Sequence, residues 1–333
     1  MQHSRVHILA AAVALLACAA GASAKPLRVV ATTPDLAALA RAVGGDAVDV
    51  TSLAKGPQDI HFIEPRPSFV SELHRADALI VNGLELEVGW LPAVLPAARN
   101  DQVNTGGRGF IDASVAIDPL DVPTGQIDRS MGDVHPRGNP HYLIDPVNAL
   151  DVARLLRDRF SELRPDDATR FAAGYSAFAA RLCAALVGEK LAVSASPEQI
   201  AAQARSGELA RSPDLGGWLG IARASPVRRA VQDHRYWTYF AHRFELELVE
   251  TLEPKPGIAP TTAHLQQVIA RIRAESIPVL LATPYFDPRH ARFVAEQSGV
   301  RVADLAHQVG ARPGTDDYVA MIDYDVKRVF DGR

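Results

Sequence analysis

LRVVATTPDLAALARAVGGDAVDVTSL, residues 27–53, contains the pattern on which the rest of the chain is built. Its two ends, residues 27–32 and 48–53, are rich in β-branched residues and predict strands. Between them, Thr33-Pro34-Asp35 favours the start of a helix, and Gly44-Gly45 favours its end. The order strand, helix, strand predicts parallel strands joined by a helix that packs against the sheet.

The same alternation continues beyond this stretch and returns in the second half of the chain. Residues 78–81, Ala-Leu-Ile-Val, contain no polar residue, as expected for a parallel strand that is covered on both faces. The later predicted strands are residues 227–231, 246–249, 279–282 and 300–305. We therefore predict an α/β fold with two lobes, each a parallel sheet flanked by helices.

A long helical pattern separates the two α/β halves. Residues 146–188 have apolar residues at intervals of three and four, which predicts one long linking helix, although Pro165 leaves room for a break. A chain of 333 residues is long enough for two domains. The predicted units are an N-terminal lobe at 25–145, the linking helix at 146–188 and a C-terminal lobe at 189–333. Within the last, 189–193 is predicted as a strand and 194–225 as an insertion of helix and loop.

The first 24 residues are typical of a secretory signal peptide. A short apolar run, too short to span a bilayer, leads to Ala22-Ser23-Ala24 before Lys25. Cleavage at Cys18 would give a lipid-anchored form instead, but Leu16 fits that type of site poorly. We therefore expect an extracytoplasmic protein, with the lipid-anchored form as the less favoured alternative.

The composition argues against several classes of function. The formal net charge is only -4, which argues against nucleic acid as a partner. The sequence has no Gly-rich phosphate loop, no Gly-x-Ser-x-Gly motif, no His-Glu-x-x-His motif and no Cys-x-x-Cys pair. The chemistry that the residues do permit comes from the histidines.

Five of the eleven histidines lie in loops or at junctions between strands and helices. These are His61, His135, His141, His234 and His307. Imidazole is a common ligand for Zn, Cu, Ni and Fe, whereas Mg and Ca prefer oxygen ligands. Because ligands of parallel sheets bind beyond the carboxyl ends of the strands, such positions favour a metal site built from several loops.

Four fragments, taken together and in order, resemble periplasmic substrate-binding proteins of the zinc/manganese ABC transporter family, of the type called cluster A-I. They are Gly56-Pro-Gln-Asp-Ile-His61 with Glu64-Pro65, Asn139-Pro-His-Tyr-Leu-Ile-Asp-Pro146, Asp233-His234 with Tyr239-Phe240, and Asp317-Tyr318-Val-Ala-Met321. The resemblance covers nearly all of residues 25–330. It implies two lobes bridged by a stiff helix and one metal between them, with His61, His141 and His234 as ligands.

The fourth ligand follows less directly from the resemblance. In the family this ligand is usually a carboxylate, but the matching position here falls at about His307. The acidic neighbours Asp304, Asp316 and Asp317 remain alternatives, and we predict His307. Four imidazoles would favour Zn over Mn, because Mn prefers harder oxygen ligands.

Three further residues near the motifs have open roles. His135 would replace His141, pass metal to it, or only form a hydrogen bond within its loop, and we favour the last because the motif match falls on His141. Asp145 and Glu64 are candidates for orienting the imidazole rings. Each also fits a simpler role as a carboxylate that caps a helix.

The resemblance implies a monomeric, periplasmic protein that captures Zn²⁺, with Mn²⁺ as the alternative, and delivers it to an ABC permease in the inner membrane. The metal is the transported ligand, and the protein is not an enzyme. A secreted zinc-dependent hydrolase is one alternative, because three histidines and a bound water form a catalytic pattern, but no general base is evident. A metal-binding adhesin, or a binding protein for an organic solute, is another, since the fold alone does not decide function.

Overall fold

The computed structural model describes residues 25–125 and 135–331. The predicted signal peptide, residues 1–24, lies outside the described residues. Two four-stranded sheets, both entirely parallel, form the centres of two lobes. The strands are β1 Leu27–Ala31, β2 Val48–Ser52, β3 Ala78–Val81 and β4 Phe110–Asp112 in the first sheet, and β5 Arg229–Gln232, β6 Glu247–Thr251, β7 Val279–Ala282 and β8 Arg301–Asp304 in the second. The predicted two-lobed α/β fold is therefore confirmed.

Both sheets have the same strand order. It is β2-β1-β3-β4 in the first lobe and β6-β5-β7-β8 in the second. In each sheet, the second strand along the chain therefore pairs with one side of the first strand. The third strand then pairs with the opposite side of the first. Ligands of such sheets bind where the strand order reverses, beyond the carboxyl ends of the strands. The loops at the carboxyl ends of both sheets, which include those that follow β2 and β5, are consequently well placed to form a site.

Helices cover the sheets. Those in the described residues are α1 Pro34–Gly44, α2 Pro67–Arg75, α3 Leu91–Val94, α4 Pro146–Leu163, α5 Ala168–Val187, α6 Glu189–Ala192, α7 Pro197–Ser206, α8 Gly217–Ala224, α9 Thr238–Arg243, α10 Thr262–Glu275, α11 Pro288–Ser298 and α12 Tyr318–Val326, followed by a π-helical turn at Lys327–Asp331. The start of α1 agrees with the sequence: the Thr33 hydroxyl accepts a hydrogen bond from the Leu36 N–H, and Pro34 occupies the first turn.

The segment predicted as one long linking helix is divided into α4 and α5. Arg164 leaves the helical conformation, with φ −138° and ψ 77°, because the ring of Pro165 disfavours a helical residue before it. The rings of Phe160 and Phe171 pack across the break with their centroids 5.6 Å apart. The two helices therefore pack against each other rather than forming one continuous rod.

Residues 189–225 are mainly helical in the structure. The strand predicted for 189–193 is wrong: the chain turns at Gly188, with φ 84°, and forms the short helix α6 beside α5. Residues 189–193 are exposed or half-buried, so their apolar members do not reach a sheet. In the predicted insertion, buried Trp218 donates its indole N–H to Asp323 Oδ1 at 3.1 Å. This contact holds α8 against α12.

No helix within residues 25–125 and 135–331 combines the length and the apolar character that crossing a membrane requires.

Candidate metal centre

His61 lies in the loop that follows β2, in a 3-10 turn at Ile60–Phe62. Asp59 Oδ1 accepts a hydrogen bond from the His61 backbone N–H at 3.0 Å and lies 2.8 Å from the ring Nδ1. The Trp90 indole N–H donates to the Ile60 carbonyl at 2.9 Å. The carboxylate therefore holds Nδ1 of His61, which leaves Nε2 for another partner.

His141 lies just before α4, in the Asn-Pro-His motif. Asn139 Oδ1 accepts from the His141 backbone N–H at 2.9 Å. The imidazole stacks on the ring of Tyr236, with centroids 4.0 Å apart and planes at 25°. Because Tyr236 follows β5 in the second lobe, the His141 ring is held by contacts from both lobes.

His234 follows β5, as His61 follows β2. Its Nδ1 lies 2.6 Å from Glu253 Oε2, and both side chains are buried. The preceding residue, Asp233, is fixed as well, because its Oδ2 accepts from the backbone N–H and the hydroxyl of Thr283. Burial raises the pKa of Asp233 to about 6.

The structure brings the rings of His61, His141 and His234 together between the lobes. Their centroids are 5.1 Å apart for His61 and His141, 6.1 Å for His61 and His234, and 5.7 Å for His141 and His234. Across residues 25–125 and 135–331, however, no three His, Cys, Asp or Glu side chains already stand in an arrangement that could hold a metal ion. Binding by this cluster would therefore require the rings to turn or the lobes to shift.

The remaining two histidines of the predicted set have different partners. His135 Nε2 lies 3.2 Å from His61 Nε2. His307 lines a cavity with His61 and His141, but its Nε2 lies 3.0 Å from the Gln58 carbonyl oxygen. Its Nδ1 is buried and has no hydrogen-bond partner among the described residues.

The acidic alternatives for the fourth ligand are engaged elsewhere or exposed. Asp304 is exposed and pairs with Arg312 at 3.3 Å. Asp317 caps α12 through the Ala320 N–H and pairs with Arg181 at 2.7 Å. Asp316 is exposed to solvent. None of these three carboxylates lines the cavity that His61, His141 and His307 share.

Burial keeps several of these imidazoles neutral. It lowers the pKa of His141 well below the usual value, with a further contribution from the neighbouring histidines. Burial also lowers the pKa of His135 and that of His307 to about 4. At neutral pH these rings therefore carry a lone pair, as binding to a metal requires.

The carboxylates that orient the rings are not the ones we expected from the sequence. Glu64 is exposed, and Asp145 pairs with buried Arg243 while it caps α4 through the Val147 N–H. The orienting positions are occupied by Asp59 and Glu253. The sequence gives a weak signal for Asp59, two residues before His61, but none for Glu253, which lies 19 residues beyond its partner.

Comparison with known proteins identifies the family. Residues 29–199 and 220–332 match the family model described as zinc-uptake complex component A, periplasmic. The chain is 21% identical over 335 residues to the metal ABC transporter substrate-binding lipoprotein SsaB of Streptococcus sanguinis, covering 98% of this chain and 96% of that protein. It is also 21% identical to the manganese ABC transporter substrate-binding lipoprotein PsaA of Streptococcus pneumoniae, strain TIGR4, covering 96% of this chain and 95% of that protein.

Solved structures share the fold. A crystal structure of ZnuA matches with a TM-score of 0.67 and 20% identity, covering 91% of this chain and 98% of that one. A mutant of the laminin-binding adhesin Lmb from Streptococcus agalactiae matches with a TM-score of 0.66 and 19% identity, covering 91% and 98%. The relatives are substrate-binding proteins and not enzymes, so the hydrolase alternative is rejected. With most of its length matched by the family model, the chain belongs to the zinc-uptake complex component A family of metal ABC transporter substrate-binding proteins.

Proposed function

We propose that this protein captures Zn²⁺ between its two lobes in the periplasm and delivers it to an ABC permease in the inner membrane. The observation that carries the proposal is the convergence of His61, His141 and His234 from separate parts of the chain, with ring centroids 5.1 to 6.1 Å apart. Histidines that only face solvent would have no physical reason to gather at one place between two lobes. A transported cation bound by neutral imidazoles provides that reason.

The ligand chemistry favours Zn²⁺ over Mn²⁺. The two carboxylates that contact these rings, Asp59 and Glu253, are engaged with Nδ1 of His61 and of His234. Nitrogen is therefore the donor that this cluster presents to a metal. Zn²⁺ accepts four nitrogen ligands in a tetrahedron, whereas Mn²⁺ prefers oxygen. The fourth donor was predicted to be His307, which would have to present its buried Nδ1 or release the Gln58 carbonyl.

Titration of the mature chain, residues 25–333, tests the metal and the ligands together. The metal-free protein would be titrated with Zn²⁺ and with Mn²⁺ in competition with a chelator of known affinity. We expect tighter binding of Zn²⁺, and a loss of about 100-fold or more in His61→Ala, His141→Ala and His234→Ala, because each tenfold loss corresponds to about 1.4 kcal/mol.

The matched control is His242→Ala, which removes an exposed imidazole on α9 and should leave the affinity unchanged. Unchanged Zn²⁺ affinity in all three cluster variants would refute the proposal. Cell fractionation of the full-length chain tests the periplasmic location, and light scattering on a sizing column tests the monomeric state. Restored zinc uptake in cells that lack the native gene tests delivery to the permease.

A further inference from the structure

We propose that His135, and not His307, is the fourth nitrogen ligand of the transported cation. This inference rests on the proposed function, since it concerns the same site. It changes the predicted ligand set to His61, His135, His141 and His234. His135 lies outside the Asn-Pro-His motif, so the motif alone gave no reason to choose it.

The distance between two ring nitrogens supports the choice of His135. Its Nε2 lies 3.2 Å from Nε2 of His61, and the two ring centroids are 5.3 Å apart. Two nitrogens that each lie 2.0 to 2.1 Å from a tetrahedral Zn²⁺ are about 3.3 to 3.4 Å apart. The pair therefore already has nearly the separation of two ligands on one metal.

The local backbone holds His135 in this place. Gly138 donates its N–H to the His135 carbonyl at 3.2 Å, which closes a turn, and its φ is 109°, a conformation that favours glycine. A Cβ at Gly138 would lie 2.7 Å from the Cβ of Pro119. This turn reverses the chain between His135 and His141, so both imidazoles reach the same cluster.

The proton between the two rings has a defined place. Asp59 accepts from Nδ1 of His61, so Nε2 of His61 carries the lone pair and His135 Nε2–H donates to it. When a cation takes the place of this proton, the neutral His135 ring must carry its proton on Nδ1 instead, which leaves the Nε2 lone pair for the cation. No other proton has to move for His61 and His135 to present two lone pairs.

His307 is placed to join the lobes instead. Its Nε2–H donates to the Gln58 carbonyl at 3.0 Å, and the adjacent Gln308 amide donates to the carbonyls of Lys55, Gly56 and Gln58. Among the described residues, the ring contacts of His307 are with Tyr236 and Tyr285, and none is with the three clustered histidines. Its buried Nδ1 has no hydrogen-bond partner among the described residues, so His307→Ala is one of the variants in the test.

The test compares Zn²⁺ affinity and the visible absorption of the Co²⁺-loaded protein in matched variants of the mature chain. We expect His135→Ala and His135→Gln to lose about 100-fold in Zn²⁺ affinity or more, and to lose the intense Co²⁺ absorption of a four-coordinate site. His307→Ala should keep that absorption and lose less than about tenfold. Arg137→Ala, in the same turn, is the control and should behave as wild type. Circular dichroism of each metal-free variant verifies that it is folded.

The outcomes separate this inference from the proposed function. If His61→Ala, His141→Ala and His234→Ala abolish binding while both His135 variants keep full affinity and the Co²⁺ spectrum, the function stands and this inference is overturned. Equal losses in His135→Ala and His307→Ala would also overturn it, since His307 would then belong to the site. If the wild type binds neither Zn²⁺ nor Co²⁺, the proposed function fails with it.

Discussion

Glu253 Oε2 lies 2.6 Å from His234 Nδ1, and both side chains are buried. The carboxylate accepts a hydrogen bond from Nδ1–H, so the lone pair of the ring is on Nε2. Asp59 stands in the same relation to His61 in the other lobe, at 2.8 Å. Each lobe therefore supplies one imidazole whose tautomer is already set before any cation binds.

The Glu253→Gln substitution tests this orienting role. A neutral amide holds the Nδ1 proton less strongly, so we expect Zn²⁺ affinity to fall between about 10- and 100-fold, as for other partners of metal-bound histidines. Chelator competition measures the change. Glu64→Gln is the matched control: it is the same substitution at an exposed position, and we expect no effect. Equal affinities for Glu253→Gln and wild type would show that the carboxylate does not tune the ring.

The Gly56→Ala substitution tests the contact between the lobes. An added Cβ would lie 2.2 Å from the backbone carbon of Gly310 and 2.6 Å from the nitrogen of Ala311. Backbone atoms on both sides must then separate, so we expect a larger radius of gyration in X-ray scattering and weaker Zn²⁺ binding. Gly125→Ala is the control, because its Cβ would meet no atom of residues 25–125 or 135–331 within 4 Å. An unchanged radius with unchanged affinity would contradict the expectation that the close approach of Gly56 to Gly310 and Ala311 holds the lobes in position for binding.

The Asp35→Asn substitution tests a buried carboxyl that joins the lobes. Asp35 Oδ1 accepts from the Val309 N–H at 2.6 Å, and burial raises the pKa of Asp35 from 3.8 to about 7. The folded protein therefore binds more protons than the unfolded chain between these values, so this group lowers stability as pH rises through them.

Because Asn does not titrate, the stability advantage of Asp35→Asn over wild type should grow by about 3 kcal/mol between pH 5 and pH 8, at about 1.4 kcal/mol per pKa unit. Urea unfolding of the metal-free proteins at several pH values measures it. The pH-dependent part of the difference is the readout, since any packing effect of the amide is common to all pH values. A difference that stays constant with pH would contradict the prediction.

The Arg243→Met substitution tests the buried ion pair with Asp145. The Nε of Arg243 lies 2.8 Å from Asp145 Oδ1, and its Nη2 lies 2.9 Å from Oδ2. Removing the guanidinium leaves a buried carboxylate without its partner, so we expect a loss of about 3 to 5 kcal/mol in the free energy of unfolding. Arg181→Met removes an exposed partner of Asp317 and should cost less than about 1 kcal/mol. Similar losses of unfolding free energy in Arg243→Met and Arg181→Met would refute the expected difference between the buried and the exposed ion pair.

Local sequence patterns predicted most of the helices and strands. They failed where contacts with distant parts of the chain decide the conformation. The strands at residues 27–32 and 78–81 were found because several β-branched or apolar residues occur together. The three-residue strand Phe110–Asp112 was not predicted, because so short a segment has no period to detect. Residues 189–193 were assigned to a strand on local composition, although helices and not a sheet lie beside them.

The sequence by itself determined the α/β class, the two lobes and the histidines that stand after strands, because periodicity and local motifs depend on neighbours along the chain. Only the tertiary structure decided which carboxylate faces which ring, and that His135 rather than His307 stands beside His61. Those relations join residues 74 and 249 positions apart, in the pairs His61–His135 and His307–Gln58. At such separations tertiary packing, within a lobe for the first pair and between the lobes for the second, sets the distances, and local conformational preference does not.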